Sequence, residues 1–249
     1  AIENARLFAE TQRRLDRLQA LRAIDSTITA SLDIRITLNT VLDQTMAQLG
    51  VDAADVLLLR PHMQILEYVA GRGFHTRAIE RSALRVGEGL AGRAAFERRH
   101  MSVANLGESE SVFKRSALLA EEGFVAHHAV PIIVKGGVKG VLEVFHRAPL
   151  AADHEWVEFI ETLAGQAAIA IENGALFNDL QRSNVELALA YDTTLEGWSR
   201  ALDLRDQETE GHTQRVTEMT LRLGRAMGLN ENELVHMRRG ALLHDIGKM

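Results

Sequence analysis

The sequence predicts an α+β chain: an antiparallel sheet with flanking helices, long coiled-coil-like helices to either side, and an all-α segment at the end. Three observations predict it. Short apolar runs separated by turn residues fill the middle of the chain. One helical segment occurs twice, with a block of domain size between its copies. The final stretch reads as two amphipathic helices joined by a tight turn.

The repeated segment opens the chain. Ala1-Ile2-Glu3-Asn4 returns as Ala170-Ile171-Glu172-Asn173, and in the same register Leu7-Phe8 matches Leu176-Phe177 and Gln12-Arg13 matches Gln181-Arg182. The second copy continues as a heptad seam: Phe177, Leu180, Asn184, Leu187, Tyr191, Thr194, Trp198 and Ala201 alternate spacings of three and four along one stripe. Such a stripe needs an apolar partner. A parallel homodimer through these terminal helices supplies one, with Asn184 fixing its register; packing of a single amphipathic helix back onto its own domain is the other arrangement.

Between the two copies the period changes from helix to strand. Ala54 to Arg60 and Gln64 to Ala70 flank Pro61-His62-Met63 as two antiparallel strands would. Val125 to Val134 and Val138 to Phe145 flank Lys135-Gly136-Gly137, where Gly-Gly is expected to supply the positive φ of a tight hairpin. Helices are expected over Ser31 to Leu49, after Gly92, near Ser116 to Glu122, and from Asp153 towards Asn173, with Asp153 or a neighbour as cap.

Bulk properties bound the function. The 249 residues are 46% hydrophobic and 25% charged, proportions ordinary for a soluble globular chain. No apolar run is long enough to cross a bilayer. A net charge of −6 argues against a nucleic acid polymer as partner, and the lack of cysteine removes disulfides and thiolate metal sites, so a cytoplasmic setting is expected.

Val86-Gly87-Glu88-Gly89-Leu90-Ala91-Gly92 and Ala129 to Val144 together resemble two characteristic segments of the GAF family. The resemblance covers about Leu21 to Ala168. It implies an antiparallel sheet with helices on one side, dimer-forming terminal helices, and a pocket between sheet and loops for a small-molecule ligand whose identity it does not give. Gly87 to Gly92 also fits the dinucleotide pattern G-x-G-x-x-G, but Glu88 would set a carboxylate where pyrophosphate lies, no ribose-binding acid follows Met101-Ser102-Val103, and hairpins are not a parallel sheet. A glycine turn at a helix start is the better reading. His127 and His128, adjacent in a strand, must face opposite sides, so they cannot share a metal and at most one faces a sensor pocket.

The strongest chemistry lies after Leu204. Glu208 and His212 precede a helix expected from about Thr213 to Met227 with Gly228 as its stop; Asn230 and Glu233 then form a capping box for a second helix that ends at His244-Asp245, with Lys248 beyond. At about 1.5 Å per residue each helix spans roughly 22 Å, so antiparallel folding returns His244 and Asp245 to His212. Imidazoles and carboxylates suit iron, manganese or zinc.

This segment resembles the N-terminal part of the HD-GYP family of metal-dependent phosphohydrolases. The resemblance implies that His212, His244 and Asp245 are metal ligands, that Lys248 orients a phosphate, that Glu208 serves a third metal, and that cyclic di-GMP is the substrate of the complete protein, with two or three divalent ions. The GYP-bearing loop and the family's later ligands would follow Met249, so this stretch alone is expected to be inactive, and the repeat predicts a further sensor unit before Ala1. The organisation expected is a signalling helix (1–20), a GAF domain (21–168), a connecting dimerisation helix (169–201) and the start of an HD-GYP domain (202–249). A purely regulatory and dimerisation module, and another HD-type hydrolase such as a nucleotidase or (p)ppGpp hydrolase, are the alternatives.

Overall fold

A computed structural model describes residues 2–31, 33–106, 120–205 and 211–248. In chain order these form helices α1 (Ile2–Ala30) and α2 (Ile34–Leu49), strands β1 (Ala53–Arg60), β2 (Ile65–Arg72) and β3 (Ala83–Arg85), helix α3 (Gly89–Glu97), strands β4 (Met101–Val103), β5 (Ala126–Val134) and β6 (Gly137–His146), and helices α4 (His154–Arg205), α5 (His212–Ala226) and α6 (Glu231–Leu242). Two compact units divide at Phe177 and Asn178. No helix among the described residues is long and apolar enough to cross a membrane.

The first unit is built on one six-stranded antiparallel sheet in the order β3-β2-β1-β6-β5-β4. Its strands alternate, and each set of alternate residues has its own partners. Ala54, Val56, Val130, Ile132, Leu142 and Val144 pack against Ile24 of α1, Leu38, Val41 and Leu42 of α2, and Ile160 and Leu163 of α4. On the opposite face Leu57, Ala129 and Val141 meet Leu90, Ala91 and Ala94 of α3. The α+β architecture expected from the sequence is therefore the one observed.

Local chemistry sets the element ends. The Asp33 carboxylate accepts from the Arg35 N–H at 2.8 Å to cap α2, and Gly50 closes that helix at φ 64°. Asp153 caps α4, accepting from the Trp156 N–H at 2.8 Å. From there α4 runs for 52 residues without a break.

Three local expectations shift. The β5–β6 turn uses positive φ at Lys135 (48°) and Gly136 (78°), while Gly137 is already the first residue of β6. Positive φ at both central positions makes the two-residue turn that matches the twist of the strands, so the hairpin closes one residue earlier than Gly136-Gly137 suggests. Helix α3 begins at Gly89, before Gly92, because positive φ at Gly87 and Gly89 has already turned the chain. Gly92 instead lies inside the helix against strand β3, where an added Cβ would stand 2.3 Å from the Arg85 carbonyl. Of the helix expected near Ser116 to Glu122, residues 116–119 lie outside the described residues and Ala120–Glu122 form a 3-10 turn.

The second unit contains a close helical hairpin. Asn230 and Glu233 form the capping box, with the Asn230 N–H donating to Glu233 at 2.8 Å and the Glu233 N–H donating to Asn230 at 3.0 Å. Gly228 turns the chain at φ 80°. Gly224 brings α5 against α6, since a Cβ there would lie 2.8 Å from Leu234 and Met237.

One buried histidine makes the first unit acid-sensitive. His128, on the helix-covered face of β5, bonds His100 (Nδ1 to Nε2, 3.1 Å) and lies 4.7 Å from the Trp156 ring. Burial, then the nearby His100 and His127, push its pKa down to about 4. The folded state therefore stays neutral between about 6.5 and 4 while the unfolded chain takes a proton, so stability is full above that window and falls as pH drops through it, by about 3 kcal/mol at most. Thermal unfolding between pH 7 and 4.5 is expected to show a shallower loss of midpoint for His128→Gln than for the wild type; equal slopes would mean that His128 is not the titrating group.

Candidate functional site

The inner face of the sheet, away from α1, α2 and α4, carries buried polar chemistry. Asp55 of β1 and Glu143 of β6 are cross-strand partners, and both are fully buried. His127 of β5 reaches Glu143 (Nε2 to Oε1, 2.7 Å) and lies flat on Phe145 at 4.4 Å. His127 and His128 do face opposite sides: the first joins this inner cluster, the second the helix layer.

Tyr68 extends the cluster towards the sheet edge. A bulge in β2 sets Tyr68 opposite Leu57, and Gly71, the cross-strand partner of Asp55, leaves the space over which the ring folds: a Cβ on Gly71 would stand 2.9 Å from the Tyr68 ring and hydroxyl. Burial, followed by the charges of Asp55 and Glu80, holds the Tyr68 phenol above its ordinary pKa. Tyr68 also borders a cavity of about 340 Å³ whose other walls include Phe74, Thr76 and Ile79. Glu122 fixes the loop over it, accepting from the backbone N–H of His75 (2.9 Å) and Thr76 (2.8 Å) and from Arg147 (3.2 Å). Burial opposes ionisation of Glu122, but the His75 and Thr76 backbone donors, with the Thr76 hydroxyl, outweigh it and hold its pKa below the usual carboxylate range.

Asp55, Glu143 and Tyr68 escape sequence reasoning, although a signal exists. Each acid stands alone in an apolar strand, Ala54-Asp55-Val56 and Leu142-Glu143-Val144, at the parity that points away from the helices.

The second unit brings together the three residues that the sequence singles out there. His212 is the first residue of α5, entered through Gly211 at φ 80°. His244 and Asp245 follow the end of α6. One ligand atom from each of His212, His244 and Asp245 lies within 4.8 Å of the others, and the imidazole rings are 5.6 Å apart. His244 Nδ1 lies 2.8 Å from the Ala241 carbonyl, which assigns its proton to that side and presents Nε2 to the cluster, 3.1 Å from Asp245. Two imidazoles and a carboxylate, with one imidazole already held in the metal-binding tautomer, fit a divalent transition metal. Lys248 ends the 3-10 turn Ile246–Lys248, and Glu208 lies outside the described residues.

Sheet order, the helix-covered face and the buried polar inner face define a sensor domain of the regulatory kind. The chain belongs to the GAF domain family, whose model matches residues 31–172. The GAF domain of a phosphoenolpyruvate-protein phosphotransferase from Coxiella burnetii superposes with a TM-score of 0.59 at 22% identity, covering 66% of this chain and 98% of that one. Free methionine-R-sulfoxide reductase from Neisseria meningitidis gives 0.56 at 16% identity over 66% of this chain and 93% of that one. Both share the fold. In sequence, the chain is 27% identical over 153 residues to the 3'3'-cGAMP-specific phosphodiesterase 3 of Vibrio cholerae serotype O1; the match covers 57% of this chain and about a third of that protein, 32%. No HD-type family model matches.

The metal-site geometry predicts binding by the chain itself. Mn²⁺ affinity of the protein, followed by calorimetry or by electron spin resonance, is expected to weaken by at least about tenfold for His244→Ala and for Asp245→Asn, since losing a ligand costs no less than losing an outer-shell partner. Unchanged affinity in both variants would remove the site.

Proposed function

We propose that this chain is the sensing and signal-transmitting part of a phosphodiesterase: a small molecule binds the GAF domain and controls hydrolysis of a cyclic dinucleotide, cyclic di-GMP, by an HD-GYP domain that begins in the second unit. The observation that carries the proposal is the convergence of His212, His244 and Asp245 in a chain with a GAF domain. The distant relative named for 3'3'-cGAMP hydrolysis supports the reaction class and makes that hybrid dinucleotide the second substrate to test. A divalent ion of iron, manganese or zinc, held by these three residues with Glu208 at a further metal, would supply a Lewis acid and a water acidic enough to attack phosphorus at neutral pH. Lys248, by its resemblance, orients a phosphate oxygen. Hydrolysis adds water across a P–O bond and releases the ribose oxygen.

The same proposal includes a second copy of the chain as partner. Leu180, Leu187, Tyr191 and Trp198 of the seam are exposed, Leu187 at 68%. The six charged residues between Phe177 and Ala201 (Asp179, Arg182, Glu186, Asp192, Glu196 and Arg200) all lie off the seam and off its two flanking positions, so identical helices meet there without like charges opposed. Helix α1 exposes the matching register at Phe8, Leu15 and Leu18. A self-partner explains both patterns; the purely regulatory reading keeps this dimer and drops the catalysis.

The full-length protein is expected to linearise cyclic di-GMP, and Asp245→Ala to abolish the turnover; retained turnover refutes the catalytic assignment, and a preference for 3'3'-cGAMP moves the substrate to the second candidate. Sedimentation of this chain is expected to give a dimer that Leu187→Glu converts to monomer, and a monomeric wild type would overturn the self-pairing.

A further inference from the structure

The second unit contains a contact that the metal site does not explain. Consecutive arginines of α6 grip two acids one turn apart on α4: Arg239 Nε meets Asp192 Oδ1 at 2.8 Å and Arg238 pairs with Glu196. The Arg239 guanidinium also lies 4.8 Å from the centre of the Tyr191 ring. These are not loose surface pairs. Asp192 and Arg239 side chains are only 32% and 24% exposed, and Leu195 and Ser199, on the same face of α4, are buried.

Neighbouring residues on a helix point about 100° apart, so Arg238 and Arg239 straddle the Asp192–Glu196 row as a fork. Rotation of α4 carries both acids out of the fork together. Sliding fails as well, because the next position of the row is Arg200: bringing Glu196 to Arg239 would set Arg200 against Arg238, and the opposite slide sets Ala188 against Arg239. One rotational setting and one axial register satisfy the charges.

The metal-binding pair is attached to α6 without a hinge. The Leu243 N–H donates to Gly240, His244 to Ala241 and Ile246 to Leu243, so hydrogen-bonded turns continue from α6 through His244 and Asp245 into Ile246–Lys248. His212, by contrast, stands on α5. Its separation from His244 is set first by the direct packing of α5 on α6 at Gly224, and the fork adds a second hold on α6, from α4.

Resting on the metal-site reading above, we infer that Arg238 and Arg239 are positioning residues: through Asp192 and Glu196 they tie the His244–Asp245 pair to the setting of α4, so that a rotation or slide of this connecting helix changes the metal site. The fork shares its α4 segment with the seam, since Tyr191 is at once a seam residue and the ring beneath Arg239. Dimer geometry and metal-site geometry are thereby written onto adjacent stripes of one helix.

The test is the Mn²⁺ affinity of this chain, with helix content and thermal midpoint measured alongside. Arg238→Gln combined with Arg239→Gln is expected to weaken Mn²⁺ binding by about tenfold while helix content is kept. The charge swap Asp192→Arg with Arg239→Asp is expected to restore affinity to within about threefold of wild type, whereas Arg239→Asp alone is weakened. Arg222→Gln, which breaks the exposed Arg222–Glu218 pair of α5, serves as the control and leaves affinity unchanged. If the fork variants bind Mn²⁺ as wild type does while His244→Ala does not, the inference is overturned and the metal site stands. If His244→Ala also binds normally, the site reading falls and takes the inference with it. Weakening without recovery in the swap would also overturn it, leaving a general structural role.

Discussion

The structure depends on a sheet that is covered on both faces. Strand residues alternate sides, so β1, β5 and β6 have to satisfy two environments at once, and they do so by giving one parity to aliphatic packing and the other to mixed chemistry. Val56, Leu142 and Ile132 seal against α1, α2 and α4, an apolar contact that fixes where those helices lie. Asp55, Glu143 and His127 occupy the other parity, where they are equally buried. Buried polar groups so placed require hydrogen-bond partners. The inner face thus holds buried polar groups, and the outer face the aliphatic contact with the helices.

Helix α4 contributes to both units. Its first turns pack on the sheet through Ile160 and Leu163, and its later turns carry an exposed apolar seam on one stripe and the Asp192–Glu196 row on another. Seam and fork thus lie on two stripes of one continuous helix. Tyr191 belongs to both stripes, as an exposed seam residue and as the ring beneath Arg239.

The legible parts of the molecule share a cause. Asn230 with Glu233, Gly228 and Asp153 act through bonds within a few residues, and each did in space what its neighbours in sequence implied. The hairpin positions were nearly as readable, with an error of one residue at Lys135-Gly136, because positive φ there falls on a residue other than glycine. The start of α3 was misplaced for a related reason: glycines mark a turn without saying which of them turns the chain. The inner acids were missed because an isolated Asp or Glu in an apolar strand looks the same in sequence whether its side chain meets water or protein.

By itself the sequence determined the α+β class, the doubled helix, the opposed directions of His127 and His128, and the hairpin that would return His244 and Asp245 to His212. Periodicity, capping and chain length dictate each of these, and all are local or follow from helix rise. Tertiary structure alone decided that Asp55 and Glu143 share one buried face, that Tyr68 folds over Gly71, and that Arg238 and Arg239 close on Asp192 and Glu196. Those contacts join residues far apart along the chain, and their energies depend on burial and distance, which no single stretch of sequence encodes.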